Sequence, residues 1–171
     1  MAKLDILIAP HPTLKQKAAP VAAVDDRIRG LADDMLETMY AAPGIGLAAP
    51  QVGVLERLIV VDVAREGEEP APMVLINPEI LWQSEELAEY EEGCLSLPEQ
   101  YAPVSRPARC RIAYTDRDGA RQEAEAEGLL STCLQHEIDH LDGILFTDHL
   151  SPVRRSMIMR KLAKWKRGKA A

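Results

Sequence analysis

The segment GLLSTCLQHEIDHL at 128–141 sets two histidines and a glutamate inside a largely apolar stretch, and this constrains the fold more than any other feature. Its spacing predicts a helix from about 128 to 141 that ends near Gly143. On a helix, positions four apart lie one turn apart on one face, so His136 and His140 can reach one metal ion. Glu137 sits beside them, placed to take a proton from a metal-bound water. The pattern is short, and two surface histidines flanking an acid would produce the same letters.

A catalytic metal usually has a third protein ligand and an open position for water. A metzincin continuation would need a histidine at 146, where Phe146 stands, and no acid follows Asp148. The third ligand is therefore expected upstream. Cys133 lies seven residues before His140, about 10.5 Å along a helix axis, too far to share an ion, and reads as a small core residue. Cys110 falls on the buried face of an alternating strand. Cys94, in EEGCLSLP after Gly93, is the best candidate, because glycine lets a backbone approach a ligand closely. His11 and His149 are isolated and read as structural or exposed. A Cys/His/His set suits Zn(II) or Fe(II) over Mg(II) or Ca(II).

The surrounding pattern predicts a helix at 25–41 with Asp25 as its cap, and strands at 57–63, 73–77 (closed by Pro78) and 109–115. Strand and turn are expected over 80–90, residues 121–127 are ambiguous, and a last helix runs over about 152–167. Strands cluster rather than alternate with helices, so the expected class is α+β. A chain of 171 residues reads as one domain, 1–171. No apolar run approaches the roughly 20 residues of a membrane span, and Asp5 interrupts the short N-terminal one. Three cysteines without a secretion signal argue for a reducing compartment and free thiols.

Charge is unevenly spread. Residues 1–148 carry 12 Lys and Arg against all 27 Asp and Glu, a net of −15; residues 149–171 carry the other 8 cations and no acid. The tail reads either as a solvated helix or as a dock for a polyanionic partner. Gly44-x-Gly46-x-x-Ala49 matches a dinucleotide fingerprint only on paper, because a helix precedes it and Pro50 and a strand follow. The glycines read as an ordinary turn or as room for an extended substrate, with Gln51 offering an amide donor.

Three segments now stand together in order and spacing: GIGLAAPQ at 44–51, EGCLS at 92–96 and QHEIDH at 135–140. They resemble the peptide deformylase family, whose members remove the formyl group from nascent bacterial and organellar proteins. ILIAPHPTL, DDMLETMYAAPGIGLAAPQVGV, INPEI and DGILFTDHLSP extend the resemblance over nearly the whole chain. It implies an α+β fold with antiparallel sheets around a central helix bearing the HExxH motif, and a C-terminal helix. By position it implies Cys94, His136 and His140 as ligands of one divalent ion, usually Fe(II), with Zn(II) as the alternative. Glu137 becomes the general acid/base, and Gln51 with the Leu95 N–H the oxyanion donors. Ile45, Gly46 and Gly93 line the substrate backbone. Ile45, Tyr90, Leu129, Thr132, Cys133 and His136 shape the pocket for the formyl-methionine side chain. In that reading metal-bound hydroxide attacks the formyl carbonyl.

The expected setting is the cytoplasm of a bacterial-type cell, or an organelle. The expected partners are a formyl-Met nascent peptide and, through the basic tail, the ribosome, with neither DNA nor membrane and a monomer by default. Tyr101 stands where many relatives have arginine, and Tyr90 and Thr132 where aliphatic residues are common, so fine specificity is left open. Two rivals fit the HExxH motif: a zinc endopeptidase and a non-catalytic, metal-stabilised binding module. A deformylase-like enzyme with an altered substrate is a third.

Overall fold

The computed structural model describes residues 2–170. Its elements run α1 (Asp26–Ala41), β1 (Gly46–Ala48), β2 (Leu58–Val61), β3 (Met73–Gln83), β4 (Leu87–Cys94), β5 (Leu97–Pro107), β6 (Arg109–Thr115), β7 (Arg121–Glu127), α2 (Gly128–Leu141) and α3 (Pro152–Ala170). Every strand pair is antiparallel, in a five-stranded sheet of order β1-β2-β3-β6-β7 and a separate β4-β5 hairpin. No helix among the described residues is long and apolar enough to cross a membrane. The α+β class and the last helix agree with the sequence.

The run LIVV of β2 is apolar throughout because both its faces are covered. Ile59 and Val61 point into the core under α2, with Ala48, Leu75, Cys110, Ile112, Leu134, Ile138 and Leu141. Leu58 and Val60 point the other way, onto Ile28, Ala32, Met35 and Met39 of α1. Asp25 caps α1 by accepting from the Ile28 N–H at 3.0 Å. A third cluster joins Ile158 and Leu162 of α3 to Leu97, Ala102 and Val104 of β5 and to Phe146.

The C-terminal end of α2 is held by groups distant in sequence. The Leu141 carbonyl accepts from the Ala18 N–H at 2.8 Å and from Arg57 Nη1 at 3.0 Å. Such a cation suits the negative end of the helix dipole. Gly143 has φ +75°, and a Cβ there would fall 2.5 Å from the Lys15 carbonyl oxygen, so the helix stops at a position suited to glycine.

Three expectations change. Pro78 does not close a strand: β3 continues to Gln83, and the proline sits at a register shift between Ile76 and Glu79, where no ladder donor is needed. The ambiguous 121–127 is strand β7, the last in its sheet, with Ala126 inward and Glu123, Glu125 and Glu127 exposed. β5, over 97–107, had no assignment in the sequence reading. Its alternating burial is clear only once β4 lies beside it.

Asp62 pins the loop after β2. It accepts from Tyr40 Oη at 2.6 Å, from the Ala64 N–H at 2.9 Å and from the Ala71 N–H at 3.1 Å. Burial pushes its carboxyl up, but these donors outweigh burial and leave it below its ordinary value of 3.8. The resulting stability is present above that value and is lost as pH falls through the lowered one. Asp62→Asn is expected to lower the melting temperature at pH 7, with the difference from wild type shrinking as an acid titration passes 3.8 and lost only below the lowered folded-state value.

Candidate metal centre

Cys94 comes from the end of β4 and the two histidines from α2, so the site lies where the hairpin crosses the central helix. One donor atom each from Cys94, His136 and His140 lies within 4.8 Å of the others. Cys94 Sγ is 3.3 Å from His140 Nε2. The other two thiols are not part of the group. Cys110 is in the core, and Cys133 is buried between the core and the recess described below.

A partly exposed cysteine at the cleft wall and two buried imidazoles, converging on one point, fit a divalent transition metal. The electrostatics agree. Burial works against a charged His136, yet Cys94, Glu137 and Glu92 around it outweigh burial and raise its pKa well above normal. These surroundings favour positive charge. Burial, with the His136 and Arg106 charges adding to it, drives His140 well below normal, which keeps its imidazole neutral as a ligand must be.

A buried charge network orients the site. His136 Nδ1 is 2.9 Å from Glu92 Oε1, which leaves Nε2 as its donor to an ion. Arg106 clasps Glu92 with two bonds, Nε to Oε2 at 2.7 Å and Nη2 to Oε1 at 3.0 Å, and reaches Asp139 Oδ2 at 2.8 Å. His149 Nε2 lies 2.8 Å from the same oxygen, so this histidine has a partner at the edge of the network. Phe146 stacks on His136 at 6.1 Å between ring centroids. Glu92, Arg106 and Asp139 escaped the sequence reading. Glu92, two residues before Cys94 on the same strand, was the one with a readable signal.

Glu137 is buried beside the ligands, and burial pushes its carboxyl up to about 7. Its Oε1 has no hydrogen-bond partner among the described residues. Gly46 makes room for it: a Cβ there would fall 2.5 Å from Glu137 Oε2 and 2.9 Å from Cys133 Sγ. The Gln51 amide is fixed in orientation. Its Oε1 accepts from the Ala48 N–H at 2.9 Å, so Nε2 donates to Ser96 Oγ at 3.1 Å and faces Cys94 Sγ at 3.5 Å.

Two hollows meet at His136 and Glu137. A cleft of about 570 Å³ is lined by Gly44, Ile45, Gly46, Gln51, Gly93, Cys94, Leu95 and Tyr101, among others. A recess of about 90 Å³ beyond it is lined by Ile45, Tyr90, Gly93, Leu129, Thr132 and Cys133. Apart from His140, which lies buried behind them, the residues expected to form the site line one or other of these two hollows. Tyr101 covers Gly93, its cross-strand partner, with its ring edge 2.5 Å from where a Cβ on Gly93 would be. Glu92→Gln is expected to weaken metal binding about 10- to 100-fold, read by competition with a chromogenic chelator, whereas His140→Ala should abolish it.

The comparisons with known proteins agree with this geometry. Residues 3–156 match the sequence model of the polypeptide deformylase family. A peptide deformylase of Phenylobacterium zucineum is 58% identical over 164 residues, covering 96% of this chain and 97% of the relative. A crystal structure of peptide deformylase from Ehrlichia chaffeensis superposes with a TM-score of 0.95 at 40% identity, over 99% of this chain and 100% of that one. A second structure of the Ehrlichia protein, in complex with actinonin, gives 0.93 at 42% identity over 98% and 99%. A Cys/His/His cluster with its glutamate, at the junction of a hairpin and a central helix, thus accompanies matching sequence along nearly the whole chain, which belongs to the polypeptide deformylase family.

Proposed function

We propose that this chain is a metal-dependent amide hydrolase that removes the N-terminal formyl group from formyl-methionyl peptides, acting as one catalytic unit over 1–171. The observation that carries this reading is the position of Glu137: buried, lacking a partner at Oε1, and bordering both the cleft and the recess. An extended peptide fits the cleft along Ile45, Gly46 and Gly93. The methionine side chain, unbranched and adaptable, fits the recess.

Cys94, His136 and His140 would hold the ion, which when bound would supply Lewis acidity that acidifies water and polarises a carbonyl. Glu137, with its carboxyl near 7, takes a proton from the attacking water and later delivers it to the leaving amine. The Gln51 amide, oriented by Ala48, and the Leu95 N–H donate to the carbonyl oxygen as charge develops there. Formyl carries hydrogen where acetyl carries carbon, so a tight site admits one and excludes the other. The thiolate-imidazole set suits Fe(II), with Zn(II) able to replace it, and the thiolate is at risk of oxidation with iron.

The setting is the cytoplasm or an organelle of bacterial descent, with the protein acting as a monomer. Its last helix docks the enzyme near emerging chains: all eight cations from Arg154 to Lys169 are exposed. An RNA partner would give binding that falls steeply with salt.

Formate release from formyl-Met-Ala and acetyl-Met-Ala, measured anaerobically, tests the activity. Wild type should act on the first peptide only. Glu137→Gln should keep its metal and lose at least about 100-fold in turnover. Gly46→Ala should do likewise by displacing Glu137. Near-full activity in Glu137→Gln would refute the role given to that residue. Replacing Arg160, Lys161, Lys164 and Arg167 by alanine should reduce co-sedimentation with ribosomes, and unchanged co-sedimentation would overturn the docking role.

A further inference from the structure

The recess that would take the first side chain is not uniformly apolar. Ile45 and Leu129 give it hydrocarbon walls, but Thr132 and Tyr90 bring hydroxyls to it. Thr132 is only 4% exposed. A buried helical threonine ordinarily satisfies its hydroxyl on the carbonyl four residues back, as Thr38 does with Asp34 at 2.7 Å. Among the described residues Thr132 Oγ1 makes no such bond. Tyr90 Oη likewise has no hydrogen-bond partner there; it sits at the first turn of α2, 3.7 Å from where a Cβ on Gly128 would be. Neither hydroxyl is among the fully buried polar atoms left without a partner, so both face the open recess and are free to bond a group that enters it.

We propose that these two hydroxyls form a subsite for a hydrogen-bond acceptor on the first side chain. The substrate class this adds is N-formylmethionine sulfoxide, so that the enzyme also deformylates chains whose first methionine has been oxidised. The proposal rests on the deformylase reading of the site and extends it. Methionine sulfoxide keeps the length of methionine and adds one strongly accepting oxygen as a branch at the sulfur. An aliphatic recess would strip water from that oxygen and return nothing, whereas Thr132 and Tyr90 return two donors. The chemistry is unchanged. Water adds across the bond between formyl carbon and nitrogen, that bond breaks, formate and the free amine leave, and the sulfoxide takes no part.

The test compares kcat/KM for formyl-Met-Ala, formyl-Met(sulfoxide)-Ala and formyl-norleucine-Ala, read by formate release with metal-loaded enzyme. Norleucine has the same length and no acceptor. The sulfoxide-to-norleucine ratio should fall about fivefold in Thr132→Val and in Tyr90→Phe, and about twentyfold in the double variant. Thr132→Ser, which keeps the hydroxyl, should restore it. A ratio that does not move in the double variant overturns the subsite, while continued release from formyl-Met-Ala leaves the deformylase reading standing. Wild type that releases formate from none of the three peptides overturns that reading and the subsite with it. Inhibition of wild type by the free products is independent of how the variants fold. Met(sulfoxide)-Ala binding more tightly than norleucine-Ala supports the subsite, and the reverse order overturns it.

Discussion

Much of this structure depends on the guanidinium of Arg106. It is buried, and it joins two carboxylates from different parts of the fold, Glu92 on β4 and Asp139 on α2. A buried arginine is costly unless it is paired, and here the planar fork of Arg106 meets Glu92 with two parallel bonds. Burial alone would lower its pKa, but the two carboxylates reverse that and raise it. The same contact fixes the Glu92 carboxylate against His136 Nδ1, and thereby the ring nitrogen left for an ion. One side chain thus locks the hairpin to the central helix and sets the direction of a ligand.

Space matters as much as charge around the ligands. Gly46 leaves the volume that Glu137 occupies, and Gly93 leaves the volume that Tyr101 covers. The Gln51 amide is held at its carbonyl end by Ala48, so its donor end is preorganised and need not reorient during a reaction. Apart from Cys94 and the tip of the hairpin, these groups sit on α2 or on the short β1 and the turn after it. Their positions are therefore fixed by the two cores on either side of β2.

The two histidines of the converging cluster were legible because helical spacing is a strict geometric code. His136 and His140 can be paired from their numbers alone, and Cys133 can be excluded by the same rise per residue. Cys94 was reached by elimination and agrees with the observed cluster. The second layer was far less legible. Arg106 and Asp139 meet across 33 positions, and nothing in the local pattern of either announces the contact. β5 was missed for a related reason: its alternation is broken near Glu99, which has φ +64°, and its partner is defined by a hairpin whose register shifts at Gly93. Pro78 misled because proline ordinarily ends a ladder, and a bulge removes that conflict.

The last strand of the five-stranded sheet has a bearing on how these molecules behave in a crowd. β7 leaves one side of its backbone without a neighbouring strand among the described residues, and such an edge invites a strand from another chain. Glu123, Glu125 and Glu127 project from it at every second position. Two copies meeting along this edge would bring rows of like charge together within a few ångströms. The residues that made 121–127 hard to classify as a strand thus work against edge-to-edge pairing with a second copy.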